Sequence, residues 1–511
     1  MGRIPGIFDM DYPDPDVIRV EQDYYMVTTT MHFIPGCEIL HSKDLKHWEH
    51  MAFVYDSLDH TQAQVLEKEE QIYGKGMWAA SIRYQKGIFY ICFAANDTQK
   101  TYLYTSKDIK GPWKKSIIEG FYHDASLYFE EKRVFIIYGN KVIYLTELNQ
   151  DLSKPKEGGL HRKLISDADN EILGYEGSHF YKIKDYYYLF VIHSSKNEWK
   201  RVEACFRAES LTGDFIGKDV YNEDNGFYNQ GIAQGGIVDT SDGKWYAMLF
   251  QDRGAVGRLP VLVPVLWEND FPVFQKPCDI RLQKEENNAE RLSEKVLVGD
   301  DDFRWNLNLQ GVCKPNHFWQ WNHEPDAKNW FVDRSEGGLT ITTDKISKNL
   351  LQAQNTLTQR MSYPKCEAYV TIAASKIENG DYAGIAAFAG SYGMIAITKE
   401  NGKSYISMQT YETDKMNVGD LKYYSKEALE HERIRIFETT VQLKLEVDFS
   451  NQMDTSKFSY WENNRWNRIG ITHKLYFQLD HFCGCRFALF HYATKTIGGA
   501  ATFHEFCRND E

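Results

Sequence analysis

The chain has 511 residues, 42% of them hydrophobic and 14% aromatic, so two or three domains with substantial cores are expected. Its formal net charge of −13 argues against a protein that follows nucleic-acid phosphates, because such binding needs an excess of Lys and Arg. The 32 Tyr and 12 Trp residues are more aromatic surface than folding requires, which is typical of proteins that stack on sugars or bases.

The cysteines and the N-terminal region indicate a cytoplasmic protein. Nine cysteines are scattered from Cys37 to Cys507, with no zinc-type pairing apart from a lone Cys483-Gly484-Cys485. The first residues contain no apolar signal core, and no apolar run approaches the roughly 18 residues of a membrane span. We therefore expect no membrane partner. Removal of a signal peptide would leave the same start and would change the expectation to a secreted or periplasmic protein.

The segment DYPDPDVIRV, residues 11–20, places three acidic side chains and two prolines before a β-branched stretch. Each proline forces the preceding residue into an extended conformation, so the segment cannot be helical. One interpretation is an acidic turn before an edge strand. The other is a carboxylate held rigidly for a function.

Five segments of the first half align without gaps, and each reads as a strand, a polar turn and a second strand. They are DPDVIRVEQDYYMV from Asp14, WAASIRYQKGIFYI from Trp78, DASLYFEEKRVFII from Asp124, EGSHFYKIKDYYYL from Glu176 and QGGIVDTSDGKWYA from Gln234. The spacing leaves room for four strands per unit, and HSKDLKHW and TSKDIKGPW recur at the distance expected between third and fourth strands. These repeats predict a five-bladed β-propeller; the alternative is an irregular sandwich with chance similarity.

The first positions of the five repeats are expected to meet at one end of the propeller axis, because the innermost strand of every blade begins there. They are Asp14, Trp78, Asp124, Glu176 and Gln234. Asp11 and Asp16 lie outside this register, so we expect them to be only turn and strand-edge residues. Three carboxylates in one pocket raise one another's pKa values and can divide the roles of base and acid, while an indole can stack on a sugar ring. This set favours a glycoside hydrolase. Clustered acids could instead bind Ca²⁺.

The sequence resembles glycoside hydrolase family 43, most closely its two-domain β-xylosidase and α-L-arabinofuranosidase group. The matching stretches span residues 12–274 in the family's order: YPDPDVIRV, TTTMHFIPGCEILHSKDLKHWE, GMWAASIRYQKGIFYICFAANDT, HDASLYF, YEGSHFYKIKDYYYL and GIAQGGIVDTSDGKWYAMLFQDRGAVGRLPVLVPVLWENDFPVF. The resemblance implies an all-β catalytic domain that hydrolyses glycosides with inversion.

By this resemblance, Asp14 matches the general base, Asp124 the residue that orients the acid and tunes its pKa, and Glu176 the general acid. Arg258 matches an arginine that many relatives direct at substrate hydroxyls; without the resemblance it would read as a surface salt bridge. Met31 stands where xylosidase relatives often carry an aromatic wall, so we expect it, with Trp78 and Gln234, to shape the sugar site.

The chemistry implied needs no cofactor, but a structural Ca²⁺ is compatible with the family. Many relatives hold a central hydrated cation with a histidine near the fifth-blade position, where this chain reads GIAQGG. Gln234 could replace that histidine. His32 and His123 lie near the pocket mouth by sequence, but a lone histidine is more often a hydrogen-bonded structural residue. The ligands of a cation are therefore unknown from the sequence.

The second half predicts a linker and a second β domain. Residues 276–302 are charged and poor in apolar periodicity, which is typical of a linker. From 303 to 511, alternating runs such as KCEAYVTIAA and GMIAITKE predict a β-sandwich, and FWQWNHEPD, NTLTQR and NGDYAGIAAF resemble the concanavalin-like domain of the same group. We expect this domain to cap the pocket rather than bind polymer. Asp381 could ligate a cation, although a turn carboxylate is the commoner explanation.

The resulting expectation is a five-bladed propeller, residues 1–275, followed by a concanavalin-like sandwich, acting as an inverting exo-glycosidase. Its substrates would be xylan- or arabinan-derived oligosaccharides, from which it would release terminal β-D-xylose or α-L-arabinofuranose. The alternatives are a non-catalytic carbohydrate-binding protein and a retaining five-bladed hydrolase acting on fructans. The sequence leaves the oligomeric state open, with a homo-oligomer as one option, and it does not rank xylose against arabinose.

Overall fold

The computed structural model describes residues 8–278, 296–307, 313–413 and 426–510. Within these ranges the protein is all-β, with 36 strands and three short 3₁₀ turns at Gly254–Val256, Leu350–Gln352 and Ser450–Gln452. In this described part, no helix is long and apolar enough to cross a membrane. The all-β prediction is confirmed.

The first half forms five antiparallel sheets of the predicted propeller. Blade 1 contains β1 (Asp16–Val20), β2 (Asp23–Thr28), β4 (Gly36–Ser42) and β5 (Trp48–Tyr55), with β3 (Phe33–Ile34) lying in its second loop. Blade 2 contains β6 (Met77–Gln85), β7 (Ile88–Ala95), β8 (Lys100–Ser106) and β9 (Lys114–Ile118). Blade 3 contains β10 (Ser126–Glu130), β11 (Arg133–Asn140), β12 (Val142–Leu148) and β13 (His161–Ser166).

The last two blades complete the ring. Blade 4 contains β14 (Glu176–Ile183), β15 (Tyr186–Ser194), β16 (Arg201–Ala208) and β17 (Ile216–Tyr221). Blade 5 has its inner strand in two pieces, β18 (Ile232–Ala233) and β19 (Ile237–Asp239), followed by β20 (Trp245–Asp252), β21 (Arg258–Glu268) and β22 (Phe271–Phe274). The ring closes where the Tyr12 amide donates to the Arg258 carbonyl at 3.0 Å and Arg19 pairs with Asp239.

A left-handed backbone residue stands at the first position of each repeat or directly after it. Asp14, Asp124 and Gln234 have φ values of 52°, 46° and 61°, so Asp14 does not adopt the extended conformation expected before Pro15. In blades 2 and 4 the left-handed residue comes one position later, at Ala79 and Gly177, and a β-bulge follows. Non-glycine residues rarely adopt this conformation, which costs on the order of 1–3 kcal/mol each and concentrates at functional sites. The left-handed residue bends the chain and interrupts the strand alternation at or directly after the first position of each repeat.

A buried ion pair fills the centre of the propeller. Asp16 of β1 is fully buried and accepts from the Arg83 guanidinium of β6 at 2.6 Å and from the Ile82 amide at 2.8 Å. Its other oxygen lies 3.1 Å from His179 Nδ1 of β14. Arg83 also donates to the Leu127 carbonyl at 3.0 Å and to the Ser126 hydroxyl of β10. The expectation that Asp16 is only a strand-edge residue was wrong: it joins the inner strands around the axis.

The second half forms the predicted sandwich of two sheets. Its strands are β23 (Gln320–Asn322), β24 (Trp330–Val332), β25 (Leu339–Thr342), β26 (Leu357–Arg360), β27 (Lys365–Lys376), β28 (Asp381–Phe388), β29 (Gly393–Glu400), β30 (Lys403–Thr410), β31 (Leu429–Ile436), β32 (Thr440–Asp448), β33 (Thr455–Glu462), β34 (Arg465–Lys474), β35 (Arg486–Ala493) and β36 (Ala500–Asp510). One sheet has the order β3-β23-β26-β35-β28-β29-β30-β31 and the other β24-β25-β36-β27-β32-β33-β34.

One strand of the sandwich comes from the propeller. In β3, Phe33 and Ile34 pair with Asn322 and Trp321 of β23, so the two domains share a continuous sheet. Of the predicted linker, 276–302, residues 279–295 lie outside the described residues. The domain boundaries proposed from the sequence therefore stay predictions, although the described strands end at Phe274 and resume at Gln320.

Buried charges also join the two domains. Arg360 of β26 pairs with Glu38 of β4 at 2.8 Å and donates to the Asp11 carbonyl at 2.8 Å. Burial alone would raise the pKa of Glu38, but Arg360 and His50 lower it to about 2. Asp11 is buried and accepts from the Arg258 amide at 2.7 Å and the Gly484 amide at 2.8 Å. Asp11 is thus a bridge between domains, and not the simple turn residue that the sequence suggested.

Substitution of Arg83 by Met should destabilise the protein by about 3–5 kcal/mol, because it leaves the Asp16 carboxylate buried without its partner. The matched control is Arg304→Met, whose ion pair with Asp302 is exposed and should contribute no more than about 1 kcal/mol. Chemical denaturation compares the two variants with the wild type. Equal losses in both would contradict a central role for the Asp16–Arg83 pair.

Candidate active site

The predicted carboxylates gather at one mouth of the propeller. Carboxylate oxygens of Asp124 and Glu176 and a ring nitrogen of His123 lie within 4.8 Å of one another. The amide of Gly177, next to Glu176, donates to Asp124 at 3.2 Å. The negative charge of Asp14 acts on both Asp124 and His123, so the third carboxylate lies in the same field. Three acids that are far apart in sequence but occupy equivalent positions of the repeats are therefore close together in the structure.

Asp14 is held rigidly on both oxygens. Arg258 Nη1 donates to Oδ1 at 2.9 Å, and the Thr29 hydroxyl donates to Oδ2 at 2.7 Å. The chain also fixes the backbone beside it, since the Thr29 amide and the Thr28 hydroxyl both donate to the Pro13 carbonyl. The prolines, the left-handed conformation and these bonds together give the Asp14 carboxylate one orientation.

Glu176 is the most accessible of the three acids. Its side chain is 20% exposed, whereas those of Asp14 and Asp124 are 7% and 6% exposed. The Asn140 amide donates to Glu176 Oε2 at 2.6 Å, and His123 Nε2 lies 3.5 Å from the same oxygen. A bound molecule can therefore reach Glu176, while Asn140 and His123 hold the Glu176 carboxyl group in position.

The pKa values of Asp124 and His123 are both raised in this cluster. Burial, with smaller contributions from the charges of Glu176 and Asp14, raises the pKa of Asp124 to about 7, although the neighbouring His123 lowers it. Burial alone would lower the pKa of His123, but Asp124 and Glu176 raise it to about 9. Near neutral pH a cationic imidazole therefore lies beside a carboxyl group, Asp124, that is only partly ionised. Such coupled groups titrate as a set.

An apolar wall faces the carboxylates, and part of it comes from the sandwich. The Phe482 ring lies 5.3 Å from the Trp78 ring, and the Arg258 guanidinium lies over Phe482 at 4.4 Å from the ring centroid. Arg258 Nη2 donates to the Phe482 carbonyl at 3.2 Å. Met31 packs against Trp78 and Phe482 but is only 2% exposed, so it supports the wall from behind and offers little surface to a ligand.

Gln234 closes the fifth-blade side. Its side chain lies against Gly177, where a Cβ would come within 3.0 Å of Gln234 Cγ. The backbone amide of Gln234 donates to the buried carboxyl of Glu203 at 2.8 Å, and burial raises the pKa of Glu203 well above its usual range. Gln234 therefore lies beside Asp124 and Glu176, as predicted, and it is held there by Glu203, which the sequence did not reveal.

The central channel does not fit a Ca²⁺ ion. The groups around its axis in the described chain are the Asp16 carboxylate, His179 and the positively charged Arg83 guanidinium. Arg83 and His179 lower the pKa of Asp16 against the effect of burial, so the one axial carboxylate is already neutralised. Ca²⁺ requires several free oxygen ligands.

Several contributors were not identified from the sequence. Thr29 and Asn140 are polar residues in unremarkable strand and loop contexts, and Phe482 lies in a distant loop of the other domain. His123 was considered only as a cation ligand, but the structure places it between two catalytic candidates. Its position directly before Asp124, a repeat head, was the available signal.

Comparisons with known proteins agree with this geometry. The model of the family described as glycosyl hydrolases family 43 matches residues 5–272, and that of the beta xylosidase C-terminal concanavalin A-like domain matches residues 314–508. A beta-xylosidase from Formosa agariphila is 25% identical over 466 residues, covering 79% of this chain and 76% of that protein. A non-reducing end alpha-L-arabinofuranosidase from Bacteroides ovatus is 30% identical over 289 residues, covering 52% of each chain.

Solved structures show the same two-domain arrangement. A bifunctional GH43-CE protein from Bacteroides eggerthii superimposes with a TM-score of 0.87 at 36% identity, over 100% of this chain. This chain spans 64% of that longer one. An engineered GH43 glycoside hydrolase, described as both an endo-xylanase and an exo-arabinofuranosidase, superimposes with a TM-score of 0.85 at 24% identity, covering 99% of both chains. With more than half of its length matched by the family model, the chain belongs to glycoside hydrolase family 43.

Proposed function

We propose that this protein is an inverting exo-glycosidase that releases terminal pentoses from xylan- or arabinan-derived oligosaccharides. The observation that carries the proposal is the convergence of Asp14, Asp124 and Glu176 on one mouth of the propeller, opposite an aromatic wall. Relatives named as a beta-xylosidase and an alpha-L-arabinofuranosidase support the choice of sugars. The chemistry uses carboxyl groups and water alone.

Hydrolysis would proceed in one displacement. Asp14 accepts a proton from a water molecule while the water oxygen forms a bond to the anomeric carbon. The bond from that carbon to the glycosidic oxygen breaks, and the oxygen takes the proton of Glu176. Asp14 then holds a proton and Glu176 has lost one, and exchange with solvent restores both. Because water enters from the face opposite the leaving group, the product has the inverted anomeric configuration.

The assignment of Asp14 as base and Glu176 as acid follows from their surroundings. Arg258 and Thr29 hold Asp14 in one orientation, as a group that positions water requires. Glu176 is more exposed, and Asn140 and His123 fix its carboxyl group, so it can reach a glycosidic oxygen. Asp124 is buried beside Glu176 and has a raised pKa, so in this proposal it orients Glu176 and helps to keep the acid protonated.

The closed side of the pocket favours removal of end residues. Phe482 reaches the mouth from the sandwich and contacts both Trp78 and Arg258. A chain that continued past this wall would meet the second domain, so the terminal sugar of a short oligosaccharide fits better than the middle of a polymer. In this proposal the sandwich shapes the pocket and Trp78, Phe482 and Gln234 line it.

A reducing compartment fits the cysteines. All nine are free, and six of them are buried. Burial raises the pKa of Cys37, Cys92 and Cys366, so these thiols stay protonated and unreactive. We therefore propose a cytoplasmic location and oligosaccharides, rather than insoluble polymer, as the substrates.

The product anomer tests the proposal most directly. On a panel of 4-nitrophenyl pentosides and pentose oligosaccharides, we expect turnover of β-D-xylosides or α-L-arabinofuranosides and, by NMR, an initial product of inverted configuration. Retention of configuration on fructans would instead support a nucleophilic five-bladed hydrolase. Sugar binding without turnover of any substrate would support a carbohydrate-binding protein.

Replacement of Glu176 by Ala should separate its role from that of Asp14. Because 4-nitrophenol leaves without a proton, Glu176→Ala should lose about 10²–10⁴-fold in kcat on oligosaccharides and much less on the aryl pentoside. Asp14→Asn should lose activity on both, since water activation is needed in each case. The exposed Glu157→Gln is the control and should match the wild type. Equal losses on both substrates in Glu176→Ala would contradict its role as acid.

The proton shared by Asp124 and Glu176 should set the alkaline limit of activity. As the pH rises through about 7, Asp124 loses its proton and kcat/KM should fall. In Asp124→Asn the remaining carboxyl is more exposed and faces the cationic His123, so the alkaline limb should move to lower pH. Profiles of kcat/KM against pH measure the shift. An alkaline limb at the same pH in Asp124→Asn and the wild type would show that Asp124 does not affect the protonation of the site.

A further inference from the structure

A cluster of nitrogen and sulfur donors lies at the interface between the domains, outside the carboxylate site. His32 comes from the loop between β2 and β3 of the propeller, and His481 and Cys483 come from the loop between β34 and β35 of the sandwich. Ligand atoms of all three lie within 4.8 Å of one another. The His32 and His481 rings are nearly perpendicular, with centroids 4.8 Å apart.

Both imidazoles are buried, and among the described residues neither has a hydrogen-bond partner of normal geometry. His32 is fully buried, and His481 and Cys483 are 2% and 4% exposed. All four ring nitrogens of the two histidines are unpaired in this part of the chain, although the Asn322 side chain lies near His32. A neutral imidazole carries one donor and one acceptor, and each buried group left unpaired costs about 1–3 kcal/mol. Four unpaired ring nitrogens in one buried cluster therefore indicate a binding site for a ligand.

We propose that His32, His481 and Cys483 bind a Zn²⁺ ion that links the propeller to the sandwich. Imidazole nitrogens and thiolates are ligand types that Zn²⁺ prefers, with a water molecule able to fill the fourth position, whereas Ca²⁺ and Mg²⁺ require oxygen ligands. In a tetrahedral zinc site such donors lie about 3.3–3.6 Å apart, so contraction of the cluster by about 1 Å completes the geometry.

Charge balance at the site would come from Cys483 and from a nearby carboxylate. Zinc binding would release one proton from the Cys483 thiol, and the resulting thiolate would cancel one of the two positive charges. The buried Asp11 carboxylate accepts from the amide of Gly484, the residue after Cys483, so a second negative charge lies beside the cluster.

The loop is already held in place for such a site. The Phe482 amide donates to the Gln478 carbonyl at 2.8 Å, the Gly484 amide to Asp11, and the Cys485 amide to the Ala255 carbonyl at 2.8 Å. The residue between the two sandwich ligands is Phe482, whose ring forms the wall beside Arg258. A zinc ion at this place would therefore fix the loop that carries the wall into the pocket.

Metal analysis with a matched pair of cysteine variants tests the proposal. Cys483 and Cys485 lie two residues apart in the same loop and are both buried, but Cys485 lies outside the cluster. After incubation with zinc sulfate and gel filtration, the wild type and Cys485→Ala should each retain about one zinc per chain and Cys483→Ala less than about 0.2. Zinc should also raise the melting temperature of the first two proteins and not of the third.

Cobalt substitution provides a readout that does not depend on the variants folding. Co²⁺ added to the wild type should produce a thiolate-to-cobalt charge-transfer band in the near ultraviolet and tetrahedral absorption in the visible. Zinc retention below about 0.2 per chain in the wild type, equal retention in Cys483→Ala, or a cobalt spectrum without thiolate character would each overturn the proposal. These measurements use no glycoside, so their result is independent of the proposed hydrolysis.

Discussion

The buried pair of Asp16 and Arg83 is the constraint on which the propeller depends. A carboxylate that stays ionised away from water needs a charged partner, and here that partner also donates to residues of the third blade, while the carboxylate faces His179 of the fourth. Inner strands of four blades are thus joined around one charge. Asp14 stands two residues before Asp16, so the position of the candidate base follows directly from this pair.

The second constraint is the contact between the domains. Asp11 bonds to the Arg258 amide and to the Gly484 amide of the sandwich loop, and the Arg258 side chain bonds to Asp14 and to the Phe482 carbonyl. The same few residues therefore position the candidate base, the arginine and the aromatic wall. The pocket is a property of both domains together, because its polar floor belongs to one and part of its wall to the other.

The fold and the convergence of the three acids could be predicted because hairpins of constant length align without gaps, which places equivalent residues of each repeat at the same end of the propeller. The aligned repeat heads remain at one mouth even in blades 2 and 4, where a bulge shifts the pairing after Trp78 and Glu176. The role of Asp16 was not predicted. Strand alternation would place Asp14 and Asp16, two residues apart, on the same face of the strand, but the left-handed conformation of Asp14 breaks that alternation. A period-two pattern in the sequence gives no sign of such a kink.

The remaining site residues depend on contacts between distant parts of the chain. Arg83 occupies an ordinary mid-strand position in WAASIRYQKG, and only the assembled ring shows that it pairs with Asp16 of another blade. Phe482 belongs to a loop whose local sequence, HFCGC, predicts a turn and nothing about a pocket in the other domain. Tertiary partners over such separations leave no local pattern to read.

The two-residue strand β3 has a consequence for biosynthesis. A ribosome presents the propeller first, but Phe33 and Ile34 find their strand partners only when residues near 321 emerge, and the wall is complete only after residue 482. At about 5–20 residues per second, the roughly two hundred residues between β22 and this loop take on the order of 10–40 s to synthesise. During that interval the acids of the nascent propeller lack the wall that Phe482 contributes, so the pocket is complete only after the sandwich loop has been synthesised.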